Sequence, residues 1–429
     1  MQTSTPQKKL IRITTVPMAL RYLLPGQMNY MNNNGYDVVM ISADGKELPE
    51  VIEKEGCRHI TVPMTRKITP VQDLKCLIQL VKIFREEKPD IVHSHTPKAG
   101  LLGMMAAKIA GVKTRIHTVA GLPMMVEKGF KFSLLKAVEK MTYASANHVW
   151  PNSPSLLQYI KKENLSPAHK IDIIGKGSTN GINTSRFNPK NLKPAILENI
   201  KHRIDYNCDN HYLLCMGRLV KDKGIIELVH AFTALQNENE KLRLILVGDF
   251  EEALDPLPQD IMEQIKSNDS IIHVKWTTEV EYFMHLADCF IFASHREGFP
   301  NVLLQAGAMQ LPIICSRITG NVDIVENNVT GLIFDAGNEN QLSSLIRKSI
   351  EQKNNMLQMA KKLSQLIIEN YQTSSMWQKI SEQYAIVSIS KQRAPYFSIT
   401  SVGNSLVNFI SNIAFGLQAR KMPRPSTSA

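Results

Sequence analysis

Apolar residues along this 429-residue chain fall into short runs, separated by longer stretches in which they recur every three or four positions. "LIRITTV" (10–16), "YDVVMIS" (36–42), "RHITVPM" (58–64), "DIVHSH" (90–95), "KTRIHTV" (113–119) and "HVWPNS" (148–153) have the length of buried strands. Between them, segments such as "PVQDLKCLIQLVKIFREEK" (70–88) carry the spacing of an amphipathic helix. Strands alternating with helices predict parallel pairing through right-handed crossovers. "GKGSTNGINTSRFNP" (175–189) interrupts the alternation with a linker composition. It resumes at "HYLLCMG" (211–217), "LRLILVG" (242–248), "SIIHVKW" (270–276), "CFIFAS" (289–294) and "LPIICS" (311–316).

The pattern predicts two doubly wound α/β domains with a hinge near 175–190, and a chain this long exceeds one ordinary core. The expected division is 1–180, 181–390 and a tail, 391–429. In the tail, "SLVNFISNIAFGLQARK" (405–421) puts Leu406, Ile410, Ile413 and Leu417 on one helical stripe, with Phe409 beside it. Such a segment can lie in a membrane interface, pack on the protein or stay unfolded, and the sequence leaves these open.

Hydrophobic residues make up 43% and charged residues 21%, the balance of a soluble globular protein. No apolar run reaches the roughly 18 residues of a bilayer span, and the first residues show no signal-peptide core. Six Cys occur without a C-x-x-C pair. Cys215, Cys289 and Cys315 lie in strand-like runs, which points to buried free thiols and a cytoplasmic location. The +11 charge is uneven: residues 1–190 hold 27 Lys and Arg against 14 Asp and Glu, a net +13, and the remainder holds 23 against 25, a net −2. A solvated basic face and an anionic partner, such as the inner surface of a membrane, both account for this excess. Nucleic acid does not fit, because its binding motifs and aromatic-interleaved basic runs are absent.

In doubly wound sheets ligands bind beyond the carboxyl ends of the strands. There, "MGRLVKDKG" (216–224) sets Arg218 and Lys223 on either side of a turn into a helix, a place for a diphosphate or for ordinary surface charge. "HREGFPNVLLQ" (295–305) follows a later strand. Pro300 fits the first helical position. The amides of Phe299, Asn301 and Val302 then face the cleft, and Glu297 precedes them. Glu297 reads as a sugar-binding carboxylate, or as an acid favoured by the helix dipole.

Strand-"GRLVKDKG", "LVGD", "EGFPNVLL" and "LPIICSRITGNVDIVENNVTGLIF", in this order, resemble glycosyltransferase family 4, retaining enzymes of the GT-B fold. "KPDIVHSHTPKAGLLGMMAAKIAGVKTRIHTVAGL" (88–122) is similar to bacterial members that build capsular and other surface polysaccharides. The resemblance implies two Rossmann-like domains facing a cleft, the first for a glycan acceptor, lipid-linked or soluble, and the second for a nucleotide sugar, UDP- or GDP-linked. It implies a hexosyltransferase in which Gly217, Arg218 and Lys223 hold the donor diphosphate and Glu297 is catalytic. It implies no cofactor. Consistent with that scheme, no D-x-D occurs in the chain, and no metal is expected.

The family places a second acid eight residues after Glu297. Here that position is Gln305, which can accept from a ribose hydroxyl without charge. Many relatives carry His where Ala120 stands. His117 lies three positions earlier, and strand alternation puts 117 and 120 on opposite faces, so His117 reads as a core histidine or an acceptor contact. In "SHTPKAGLLG" (94–103), Thr96 is expected to cap a helix, Pro97 to open it and Lys98 to point into the cleft. Arg21, after the first strand, is a further acceptor-side candidate. Ala120 and Gln305 keep open a catalytically silent partner subunit, and the fold keeps open a nucleotide-sugar epimerase.

Overall fold

A computed structural model of the chain describes residues 7–251 and 255–389. The amphipathic tail segment (405–421) lies outside the described residues. The first sheet is built from β1 (Lys8–Ile13), β2 (Tyr36–Ser42), β3 (Arg58–Thr61), β4 (Ile91–His95), β5 (Thr114–Val119) and β6 (His148–Pro151). The second comprises β7 (His211–Met216), β8 (Leu242–Val247), β9 (Ile271–Val274), β10 (Cys289–Phe292), β11 (Ile313–Ser316) and β12 (Leu332–Phe334). All pairings are parallel, in the orders β3-β2-β1-β4-β5-β6 and β12-β11-β10-β7-β8-β9. The order reverses beside β1 and beside β7, and the cleft forms where these two switch points face each other.

Helices on both faces explain why the strands read as continuous apolar runs rather than alternating ones. Leu10 sits between Val38 and Ile91 in register, and all three are buried. The predicted helix at 70–88 is present as Pro70–Glu87, burying Cys76, Leu77, Leu80, Ile83 and Phe84 and closing at Lys88 in the left-handed region (φ 49°). Cys215, Cys289 and Cys315 are buried free thiols, pushed up from the ordinary range by desolvation.

The 175–189 linker is packed rather than loose. Ser178 N donates to Asn152 O (2.7 Å) on the first domain, and Ile182 N donates to Tyr371 O (2.7 Å) on the second. A side chain at Gly177 would meet Asn152 O at 2.6 Å, and one at Gly181 would meet Tyr371 O at 2.6 Å, so both crossings require glycine. The helix Thr373–Ile389 then returns to the first domain. Its Met376, Ile380 and Tyr384 join Leu10, Met28, Ile116 and Trp150 in one core. By packing, residues 373–389 go with the first domain, although sequence order groups them with the second. No described helix is long and apolar enough to cross a membrane.

Candidate active site

Two loops of the second domain, one after β7 and one after β10, build one wall of the cleft. Gly217 (φ 144°) turns the chain, Arg218 follows, and a short turn, Lys221–Lys223, leads to Gly224 (φ 68°). A side chain at Gly224 would come within 2.2 Å of Ala293 O, so this glycine lets the two loops touch. They are tied further: His295 N donates to Asp222 O at 2.9 Å, and Arg296 pairs with Asp222 at 3.0 Å. Lys223 reaches across and pairs with Glu297, each side chain about one-fifth exposed (19% and 19%). Arg218 pairs with Glu251.

Arg218, Asp222, Lys223, Arg296, Glu297 and Gly298 thus share one surface of a cavity of ≈ 290 Å³. The carboxylate of Glu297 is held by Lys223, not by the amides of the following helix. That helix runs Asn301–Ala308, with Pro300 in extended geometry at its cap rather than as its first residue. The register is one residue later than expected because Pro300 takes ψ 108°, outside the helical region. Phe299 turns into the core against Tyr371 (centroids 5.5 Å apart), so only its backbone can serve a ligand. Asn301, Val302 and Gln305 are half-buried in the helix's first turns and do not line the cavity. The Gln305 side chain makes no hydrogen bond to a described residue.

The opposite wall comes from the first domain, at the ends of β4 and β5. His117 is buried, with Nδ1 2.9 Å from Ser94 Oγ, and its ring packs where a side chain at Gly100 would clash at 2.4 Å. Burial pushes its pKa down to about 4, so the ring is neutral. Ala120 also lines the cavity. Every residue from His117 to Pro123 lines the cavity, because β5 ends at Val119 and Gly121 (φ 141°) turns the chain along its wall. Ala120 O lies where a Gly298 side chain would come within 1.9 Å, so here the two domains meet backbone to backbone. A second clasp joins Ser155 N to Asp323 at 3.0 Å.

Three first-domain expectations need correction. Thr96 stands at the cap position, but its hydroxyl bonds that of Thr15 (2.8 Å), and Thr15 accepts from Ala99 N (3.2 Å), capping the helix Pro97–Ile109 in its place. Lys98 does not point into the cleft. Asp73 holds it at 2.7 Å, because the turn before the helix Pro70–Glu87 passes close to it. Arg21 pairs with Glu50 at 2.6 Å and lies over the Trp276 ring (5.7 Å), bridging the domains away from the cavity.

Sequence reading passed over Asp222 and Arg296, although both lie inside the motifs that drew attention. Their pairing joins loops 74 residues apart, and neither loop shows it alone. Glu139 was missed as well. Its signal was an acid on the inward stripe of Leu135, Thr142 and Tyr143 in the helix Gly129–Ser145, where apolar residues belong.

Two family profiles match the chain, one for each domain: glycosyl transferase 4-like over residues 14–153 and glycosyl transferases group 1 over residues 198–366. The capsular polysaccharide biosynthesis glycosyltransferase CapM of Staphylococcus aureus is 32% identical over 377 residues, 88% of this chain and 97% of the relative. A UDP-Gal:alpha-D-GlcNAc-diphosphoundecaprenol alpha-1,3-galactosyltransferase of Escherichia coli is 25% identical, covering 85% and 93%. Among solved structures, a glycosyltransferase of Rickettsia africae superposes with a TM-score of 0.74 at 21% identity, over 90% of this chain and 100% of that one. Anabaena HepE, in complex with UDP and glucose, gives 0.74 at 16% identity, over 88% and 100%.

Proposed function

We propose a function from one premise: this chain belongs to the glycosyltransferases, group 1 and 4-like, with the GT-B fold. It transfers a sugar from a nucleotide-sugar donor, with retention, to a glycan acceptor carried on a lipid, in the synthesis of a surface polysaccharide. The observation that carries the reading is the convergence of Arg218, Lys223 and Glu297 on one wall of the interdomain cavity. Arg218 and Lys223 neutralise the departing nucleoside diphosphate, and Gly217 lets the backbone approach it. Glu297 receives the sugar's hydroxyls and offsets positive charge developing at the anomeric carbon. Both cations are paired with carboxylates, so donor phosphates must displace Glu251 and Glu297 from them. Gln305, whose amide has no partner among the described residues and which lies outside the cavity lining, is assigned the nucleotide ribose on the family resemblance alone.

CapM and the galactosyltransferase are transferases by name, which favours this reading over an epimerase or a silent subunit. UDP in the HepE complex and the diphosphoundecaprenol acceptor in the galactosyltransferase's name support a UDP-linked donor and a lipid carrier here. The test is a panel of nucleotide sugars with and without a membrane lipid extract, scoring nucleoside diphosphate release. Release that depends on extract supports the reading, and no release from any donor refutes it.

The partner surface we assign is an anionic bilayer on the inner side of the membrane. Supporting it, Ile68, Val71 and Ile78 stand 68%, 72% and 63% exposed around the outer face of the helix Pro70–Glu87, with Leu74 between them. Exposed Arg66, Lys67, Lys75 and Lys82 interleave with them. Apolar side chains flanked by cations match an interface of acyl chains and anionic headgroups, where each cation adds about 1 kcal/mol.

A further inference from the structure

The two walls of the cavity differ in charge. Every Lys and Arg lining it, namely Arg218, Lys223 and Arg296, comes from the second domain. The first domain contributes none, and the one ionisable acid on its side is Glu139. Glu139 is only 6% exposed, yet it lines the cavity, so the surface it keeps faces the cleft. No ion pair joins it to a described residue. Tyr143, one helical turn on, is fully buried beside it, and its hydroxyl, which has no other partner, lies within reach of the carboxyl. A buried carboxyl without a cation is unfavourable for folding.

We propose that Glu139 selects the acceptor: it accepts a hydrogen bond from a hydroxyl or N–H of the acceptor's sugar and excludes acceptors bearing a carboxylate or phosphate at that place. The proposal rests on the glycosyltransferase reading and deepens it. Three observations lead to it. The wall is made of neutral groups, His117 included, apart from this one acid. Lys98 and Arg21, the cations that could have greeted an anionic acceptor sugar, are held elsewhere by Asp73 and Glu50. A carboxylate without a neighbouring cation, in a site of low dielectric, rejects a ligand that brings a second negative charge against it more strongly than an apolar wall does. Burial also pushes the Glu139 carboxyl up to about 7, so it is mainly ionised at pH 8.

The test uses the full-length protein at pH 8 with an active donor and two octyl glycosides of the same linkage, a neutral hexoside and the matching hexuronide. The wild type is expected to prefer the neutral acceptor. In Glu139→Gln, an isostere without charge, the neutral-to-acidic ratio of kcat/KM should fall at least tenfold, chiefly because the hexuronide becomes usable. Glu139→Leu, which cannot accept, should lower kcat/KM for the neutral acceptor at least tenfold. Affinity for nucleoside diphosphate, measured by calorimetry, checks that each variant is folded. An unchanged ratio in Glu139→Gln with diphosphate affinity retained overturns the proposal alone. Failure of the wild type to release diphosphate from any donor overturns the transferase reading, and this one with it.

Discussion

If Lys223 serves the donor diphosphate and Glu297 competes for it, removing one partner or the other should change diphosphate affinity in opposite directions. Lys223→Met removes a charge-assisted hydrogen bond worth roughly 1.5 to 3 kcal/mol, so affinity should fall by about 10- to 150-fold. Glu297→Gln releases Lys223 from an ion pair. Both side chains are about four-fifths covered, at 19% exposure each, so little of the pair's energy is lost to solvent. Even so, a value near the upper end for such pairs, about 1 kcal/mol, is a suitable figure. Losing that competition should tighten diphosphate binding by about fivefold, and removing a carboxylate beside an anionic ligand acts in the same direction. Turnover should move the other way. Without the carboxylate facing the sugar, kcat should drop at least tenfold, the scale of one transition-state contact of about 1.4 kcal/mol. Isothermal calorimetry with the nucleoside diphosphate and steady-state rates on the same preparations decide the matter. Weaker diphosphate binding in Glu297→Gln, or unchanged binding in Lys223→Met, would refute the competition and relocate the phosphates.

Arg218→Ala should weaken diphosphate binding by roughly tenfold on the same scale, and equal affinity by calorimetry would place the phosphates away from this loop. Glu139 is raised from 4.5 to about 7 in the folded protein. The unfolded chain therefore releases this proton first, and the residue's effect is a loss of stability as pH rises from about 4.5 to 7, constant above. Glu139→Gln should thus be more stable than wild type at pH 8, by up to about 3 kcal/mol. That advantage should vanish near pH 4, as urea unfolding at both pH values will show. Val71→Glu with Ile78→Glu should reduce co-sedimentation with anionic vesicles at low salt, and deletion of 391–429 should weaken it without abolishing it. Pelleting of the double variant at the wild-type level would exclude this face. Gly298→Ala places a methyl on Ala120 O, with 1.9 Å between them. It should hold the domains apart and lower kcat at least tenfold with little change in diphosphate affinity.

Much of this protein is decided locally. Apolar runs of strand length, alternating with three-and-four periodicity, are enough for parallel sheets, because parallel strands are buried on both faces and need crossover helices. Arg218, Lys223 and Glu297 were legible for a related reason: each lies in the loop that follows a buried strand, and in a doubly wound sheet that position opens on the ligand side. What distance along the chain hides is the partner. Lys98 resembles a cleft cation until Asp73, 25 residues earlier, is folded against it. Thr96 resembles a cap until Thr15 takes that role from the loop after β1. Strand alternation says nothing of Ala120, because the strand ends one residue before it and the chain then turns along the cavity. Glu139 is one acid among many in the sequence. Only tertiary packing, which strips most of the water from it and sets it in the wall of the cleft, sets it apart, because the energy of a charge depends on what surrounds it and not on its place in the chain.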